Sequence, residues 1–330
     1  MSSSAPSAIA AAITIRASGL SRRFGAHAAV DGVALHLRQG EVLGFLGPNG
    51  AGKTTTLQML TGNLAPTTGS VSICGVDMLE APVAAKAHLG YLPEIPPLYR
   101  DLNVVEYLEF AARLHRVPRA RRTAAVNRAR ERCGLGDVGR KLIGTLSKGY
   151  QQRVGIAQAI VHEPEVIILD EPTVGLDPNQ IRDIRALIRE LGSAHSVLLS
   201  THILSEVEAL CDRVQIMHHG KMVYADTIGA LQQLHSGRTL LVALQQPPAL
   251  EEWLAIPGVE RVEPAGPAAE NLIRVHVAAA ADPTARIVAL AAERQWGLRQ
   301  IGPAQTNLED VFVNLTRRDE LTNTQRATRP

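Results

Sequence analysis

The sequence predicts an α/β protein in two parts: a large domain built on a largely parallel sheet, then a small α+β domain of ferredoxin-like order. Three observations carry this. Short, uniformly apolar runs such as Val166–Leu169 and Val197–Ser200 flank an amphipathic helical stretch. A glycine-rich turn follows the apolar run Val42–Leu46 and leads into a helical segment. After Ile228 the order changes to strand, helix, strand, strand, helix, strand.

Taken in order, Ala12–Ala17, Val33–Leu37 and Val42–Leu46 read as the front strands, and Thr55–Leu60 as a helix. Asn179–Leu191 carries Ile181, Ile184, Leu187, Ile188 and Leu191 on one face, with Pro178 at its start and Gly192 past its end. Strand, helix, strand over 166–200 implies a right-handed parallel unit. Val214–Met217 and Lys221–Ala225, joined by His218-His219-Gly220, read as a hairpin. In the second part, Thr239–Leu244, Val259–Glu263, Leu272–Val277 and Leu298–Ile301 read as strands. Ala249–Ala255 and Asp282–Trp296 read as helices, and Leu308–Leu315 as a closing one.

Composition narrows the function. The 330 residues are 45% hydrophobic and 20% charged, enough for real cores. A net charge of +2 implies no polyanion-binding field, and 3% aromatics give no stacking platform for single strands. No nucleic-acid partner is expected. The three cysteines lie too far apart for a zinc module or a disulfide framework, so no zinc is expected. No run reaches the roughly 18–20 apolar residues of a membrane span. The start lacks a basic segment and reads as a loose leader, so any membrane role is played from outside the lipid.

Gly47-Pro48-Asn49-Gly50-Ala51-Gly52-Lys53-Thr54 fits G-x-x-x-x-G-K-[ST] between a strand and a helix. Glycines let backbone N–H groups curl around phosphate oxygens, and the helix N-terminus adds partial positive charge. Lys53 is placed to reach β/γ-phosphates and the Thr54 hydroxyl to hold Mg²⁺. Val166–Leu169 ends in Asp170, a carboxylate for the Mg²⁺ shell, and Glu171 is placed to polarise an attacking water.

Leu146-Ser-Lys-Gly-Tyr150 lies upstream of that strand, and Ser200-Thr-His202 ends the next one. Here the chain resembles the ATP-binding cassette (ABC) ATPases, over about residues 13–230. The resemblance implies ATP and Mg²⁺ as ligands and a P-loop NTPase fold, a mixed core sheet with a helical subdomain at about 95–150. It implies that Phe24 stacks on adenine and that Thr55 joins the phosphate loop in holding nucleotide. His202 stands at the switch histidine, Asp177 in the D-loop, and Glu94 at the Q-loop, near the metal. It also implies a head-to-tail homodimer, or a heterodimer with a second cassette, in which Ser147 and Gly149 of one subunit hold the other's ATP. Glu171, His202 and Lys53 would then carry hydrolysis. Two departures stand out: Glu94 replaces the family's usual Gln, and Lys148 and Tyr150 replace Gly and Gln in the signature.

Gly90-Tyr-Leu-Pro-Glu94, the signature region and Leu308-Glu-Asp-Val-Phe312 resemble the drug-, polysaccharide- and gliding-motility-type exporters. Their membrane permease is a separate polytopic chain, which would place this protein on the cytoplasmic face of a membrane. The implied organisation is a leader at 1–12, a cassette at 13–230, an accessory α+β domain at 231–316 and a polar tail at 317–330. The alternative is a non-transport ABC ATPase acting on ribosomes or DNA. Against it stand the single cassette and the mere 52 positions between Glu94 and Leu146. A kinase or GTPase sharing the phosphate loop would not carry Leu146–Tyr150 together with His202.

Other features have bland readings. Eight arginines against Glu131 within Arg113–Arg132 read as a solvated helix face or as a contact to anionic lipid. Val104, Tyr107, Leu108, Ala111 and Leu114 have core spacing. Cys74 and Cys133 read as small buried hydrophobes, and Trp253 and Trp296 as packing residues of the second domain.

Overall fold

The computed structural model describes residues 12–233, 239–265, 271–278 and 281–303. The leader, the closing helix with its Leu308–Phe312 motif, and the tail lie outside these residues. The chain divides into two compact units, one ending at Ile228 and the other starting at Gly229.

The first unit opens with β1 (Ile13–Phe24) and β2 (His27–Arg38), an antiparallel hairpin turning at Gly25. Both strands run to twelve residues. Apolar runs alone mark only the buried base of this hairpin, and the exposed tip is held by cross-strand pairing. β3 (Val42–Leu46) follows, then α1 (Lys53–Leu60), β4 (Thr68–Ile73), β5 (Val76–Asp77) and α2 (Pro82–Ala87). The chain continues through β6 (Leu89–Leu92), α3 (Val104–Leu114), α4 (Arg119–Arg132), α5 (Lys148–Ile160), β7 (Val166–Asp170) and α6 (Pro178–Gly192). β8 (Ser196–Thr201), α7 (Leu204–Leu210), β9 (Arg213–His218) and β10 (Lys221–Thr227) complete the first unit, and α8 (Ile228–Gln233) starts at its last residue and continues into the second.

Two sheets result. One is antiparallel, in the order β2-β1-β4-β5. The other is six-stranded, β10-β9-β3-β8-β7-β6, parallel except for the β9–β10 hairpin. The uniform apolarity of its central strands has a geometric cause, since successive side chains point to opposite faces and both faces are buried. On β7, Ile167 and Leu169 join a core with α3, α4, α5 and α6. Val166 and Ile168 join a second core with α1 and the β1/β2/β4 sheet.

The helical layer forms for local reasons too. α3 starts in a capping box, in which Asn103 accepts from the Glu106 N–H and Glu106 accepts from the Asn103 N–H. Of its expected core residues, Leu114 is instead 65% exposed, and Ala112 is buried on that helix. The α4 arginines surround a narrow apolar stripe of Ala125, Val126 and Ala129. Arg128 pairs with Glu163 at 2.7 Å and Arg132 with Glu190 at 3.3 Å, while Arg130 donates to the Gly136 carbonyl. Cys133 is buried as expected, but Cys74 is only partly so.

The second unit contains β11 (Thr239–Leu244), α9 (Leu250–Leu254), β12 (Val259–Pro264), β13 (Leu272–Val277), α10 (Thr284–Glu293) and β14 (Leu298–Pro303). Its antiparallel sheet has the order β12-β13-β11-β14, so the two strand–helix–strand halves interleave around the central pair β13–β11. Trp253 and Trp296 pack in its own core with ring centroids 5.8 Å apart.

Candidate active site

Strand order brings the site together. β3, β8, β7 and β6 are consecutive neighbours and parallel, so their carboxyl ends open side by side. β3 delivers the 47–54 loop, β8 delivers His202, β7 delivers Asp170 and Glu171, and β6 delivers Glu94. A cleft of about 530 Å³ lies there, lined by Pro48, Asn49, Gly50, Gly52, Lys53, Thr54, Thr55, Glu94, Glu171 and His202, with His27, Ala29 and Val174.

The loop is shaped for an anion. Gly52 has φ 104, and a Cβ there would lie 2.5 Å from the Ala29 carbonyl oxygen. A Cβ on Gly47 would lie 2.4 Å from that of Met217, so the tight curl excludes side chains. No side chain caps α1 and no acid stands in its first turn. Its N-terminal N–H groups and dipole therefore face the loop without a competing carboxylate.

Lys53 is buried and donates to the carbonyls of Gly47 at 2.7 Å and Pro48 at 3.4 Å. Its Nζ also lies 3.4 Å from Glu171 Oε1, and Glu171 Oε2 meets His202 Nδ1 at 2.9 Å. The three groups form one chain: ammonium, carboxylate, imidazole. A carboxylate only accepts, so Nδ1 carries the proton of that bond. Glu171 is held in place by its N–H, which donates to Ser200 O, and adopts φ 48, a left-handed angle uncommon outside glycine.

Asp170 is fully buried, and neither carboxylate oxygen has a hydrogen-bond partner among the described residues. Burial pushes its pKa up, the nearby Ser200 hydroxyl and the Lys53 charge pull against this, the charges of Glu171 and Glu94 add to it, and the balance is upward. A buried carboxylate of this kind suits a divalent cation; Asp170 itself is not part of the cleft lining, whereas Thr54 and Glu94 are.

The family model for ABC transporters matches residues 30–174. An uncharacterised ABC transporter ATP-binding protein, YxlF of Bacillus subtilis (strain 168), is 38% identical over 69% of this chain and 75% of its own. The chain belongs to the ATP-binding proteins of ABC transporters. The Nod factor export ATP-binding protein I of Ralstonia nicotianae (strain ATCC BAA-1114 / GMI1000) is 34% identical over 91% of this chain and 93% of its own. A solved ATP-binding subunit of an ABC transporter aligns with a TM-score of 0.62 and 30% identity, covering 67% of this chain and 92% of that one.

Not every expected residue of the cassette lines its cleft. Phe24 stays outside it, 50% exposed, with the Arg22 guanidinium 4.9 Å from its ring centroid; its strand partner His27 does line it. Ser147 caps α5 by accepting from the Tyr150 N–H at 3.4 Å, and Asp177 caps α6 by accepting from the N–H groups of Asn179 and Gln180. Both stand away from the lining, as does Gly149.

Sequence reasoning missed one group entirely. Glu206 on α7 is fully buried and accepts from the hydroxyls of Thr173 and Thr201, with Arg185 of α6 3.6 Å away. Thr173 follows Glu171 by two residues and Thr201 precedes His202, so this carboxylate ties together the two turns that present them. A single acid on a short helix reads as solvated, and nothing local marks it otherwise.

Proposed function

We propose that this subunit hydrolyses ATP to ADP and phosphate and uses the cycle to drive a separate polytopic permease, in the direction of export. The single observation behind it is the Lys53–Glu171–His202 chain lining the phosphate-loop cleft. Before phosphate enters, Glu171 is occupied from both sides. A γ-phosphate brings several negative oxygens to Lys53, drawing the ammonium off Glu171 and leaving that carboxylate to accept a proton from water. With Nδ1 engaged by Glu171, His202 contacts phosphate through Nε2, and donating there requires the doubly protonated ring.

Thr54 and Asp170 would hold Mg²⁺, with Glu94 alongside. The ion would supply charge neutralisation for the triphosphate. Phe24 and His27, paired at the β1–β2 tip, are the groups closest to hand for an adenine base. Ser147 and Gly149 at the start of α5, and Asp177 at the start of α6, act across a head-to-tail dimer of cassettes. A second helix N-terminus would then grip the phosphates that one loop leaves exposed. The second unit is an accessory domain of the subunit, and the similarity to a Nod factor export ATP-binding protein, aligned over most of its length, supports the exporter reading. Such a subunit docks on its permease at the cytoplasmic face of a membrane; no described helix is long and apolar enough to cross one.

The test is Glu171→Gln with ATP and Mg²⁺. Phosphate release should fall to background while nucleotide is retained, and the chain should elute as an ATP-dependent dimer on size exclusion. A monomer with wild-type turnover would overturn the reading.

A further inference from the structure

The far edge of the central sheet carries a second constellation. The Sγ of Cys74, Nδ1 of His88 and a carboxylate oxygen of Glu165 all lie within 4.8 Å of one another. His88 Nδ1 and Glu165 Oε2 are already 3.0 Å apart. The ligand atoms come from three segments: the β4–β5 turn, the end of α2, and the residue preceding β7. From these we infer a binding site for a divalent ion of the zinc class, held by Cys74, His88 and Glu165 with a fourth position open to solvent.

The chemistry and the scaffold both fit. Thiolate, imidazole and carboxylate are the three ligand types that Zn²⁺ takes, and three protein ligands leave one place for water. Tetrahedral Zn²⁺ with bonds of about 2.0–2.3 Å needs donor atoms about 3.3–3.6 Å apart. The His88–Glu165 pair meets that almost unchanged, and Cys74 needs to close by only about 1 Å, within reach of a χ1 rotation.

Main-chain bonds fix the mounting. The His88 carbonyl accepts from the Val166 N–H at 3.0 Å, the Glu165 carbonyl from the Ser196 N–H at 2.9 Å, and the Cys74 N–H donates to Thr14 O at 2.8 Å. Cys74 and Gly75 form the two-residue β4–β5 turn at φ 48 and φ 81. Local preference at the first of those places is for Asn, Asp or Gly, so the turn itself does not call for cysteine.

Access is open as well. His88 and Glu165 are 35% and 56% exposed, and Cys74 and Glu165 border a cleft of about 410 Å³ that also contains Gln39 and His195. Burial and the Glu165 charge push the Cys74 thiol up, a cost that a bound cation reverses. The site lies at the amino ends of β6 and β7, whereas the nucleotide cleft lies at the carboxyl ends. The five residues of β7 separate Glu165 from Glu171, about 20 Å over six residue steps. Sequence spacing leads to the opposite expectation, of no zinc, because no two of the ligands are near neighbours in the chain.

The test uses the full chain, stripped with a chelator and titrated with Co²⁺ without nucleotide. A thiolate-to-cobalt charge-transfer band should rise to one equivalent and be displaced by Zn²⁺. Cys74→Ser should abolish the band, and Cys133→Ala with Cys211→Ala should keep it. His88→Ala and Glu165→Gln should each weaken Zn²⁺ binding at least about 10-fold. With ATP and Mg²⁺ supplied, ATPase activity of zinc-free Cys74→Ser should match that of the zinc-free wild type, which separates this site from the nucleotide site. The inference fails if no thiolate band forms, if the band survives in Cys74→Ser, or if all three variants bind Zn²⁺ as the wild type does. The last result would mean an adventitious ion only.

Discussion

Glu171 combines three unusual conditions in one side chain: a left-handed backbone, near-complete burial, and a cationic or imidazole partner on each carboxylate oxygen. Such strain persists only where the surroundings over-determine it, and here the β7–β8 ladder and the Glu206 hub do so. The loop before α1 shows the same economy, since at Gly52 both the angle and the space exclude a side chain. Gly52→Ala is expected to cost about 1–3 kcal/mol of local strain and to abolish tight nucleotide binding, read by titration with a fluorescent ATP analogue. Lys53→Ala should also lose nucleotide binding, but with the fold intact by circular dichroism, which distinguishes a lost ligand from a lost loop.

At the scale of elements, α7 matters more than its seven residues suggest. Its Glu206 links the turn after β7, the turn after β8 and Arg185 on α6. Breaking such a buried network by removing its anion costs about 3–5 kcal/mol. Glu206→Ala should therefore lower the urea midpoint markedly. Glu206→Gln, which keeps an acceptor, should recover most of the stability while kcat stays depressed, because the turns carrying Glu171 and His202 lose their shared anchor. A full recovery of kcat in Glu206→Gln would show that the carboxylate charge is irrelevant to positioning. The α6 cap is a milder case: Asp177→Ala should cost about 1 kcal/mol, measured by the same denaturation.

For the molecule as a whole, several histidines are folded away neutral. His162 is pulled from 6.5 to about 3, first by burial and then by the charge of His115, with which its ring stacks at 3.7 Å. Burial also lowers His115, His195 and His36. Their folded values lie below the unfolded one, so the unfolded chain binds more protons and stability rises with pH through this window. Acid should remove stability from about pH 6.5 downward, continuing toward about 3. Denaturation midpoints at pH 7.5 and 5.5 should differ clearly, and His162→Gln should narrow the gap. An unchanged gap would assign the effect to other groups.

The sequence by itself determined the parts whose cause is local. The 47–54 loop, the β7 strand with its terminal acids, the capped α6 helix and the succession of strands and helices in the second unit were legible, because turn chemistry, caps and hydrophobic period act over a few residues. The family followed from the same motifs taken in order. Only the tertiary structure decided that β3, β8, β7 and β6 stand side by side, and so that Lys53, His202, Glu171 and Glu94 share one cleft. It alone placed Phe24 beside that cleft rather than in its wall, exposed Leu114, and buried Glu206 among two threonines. It also assembled Cys74, His88 and Glu165 from three distant segments. Contacts between segments far apart in the chain leave no periodic trace in the sequence. They are set by which strands pair, and that choice is made by burying both faces of one sheet at once.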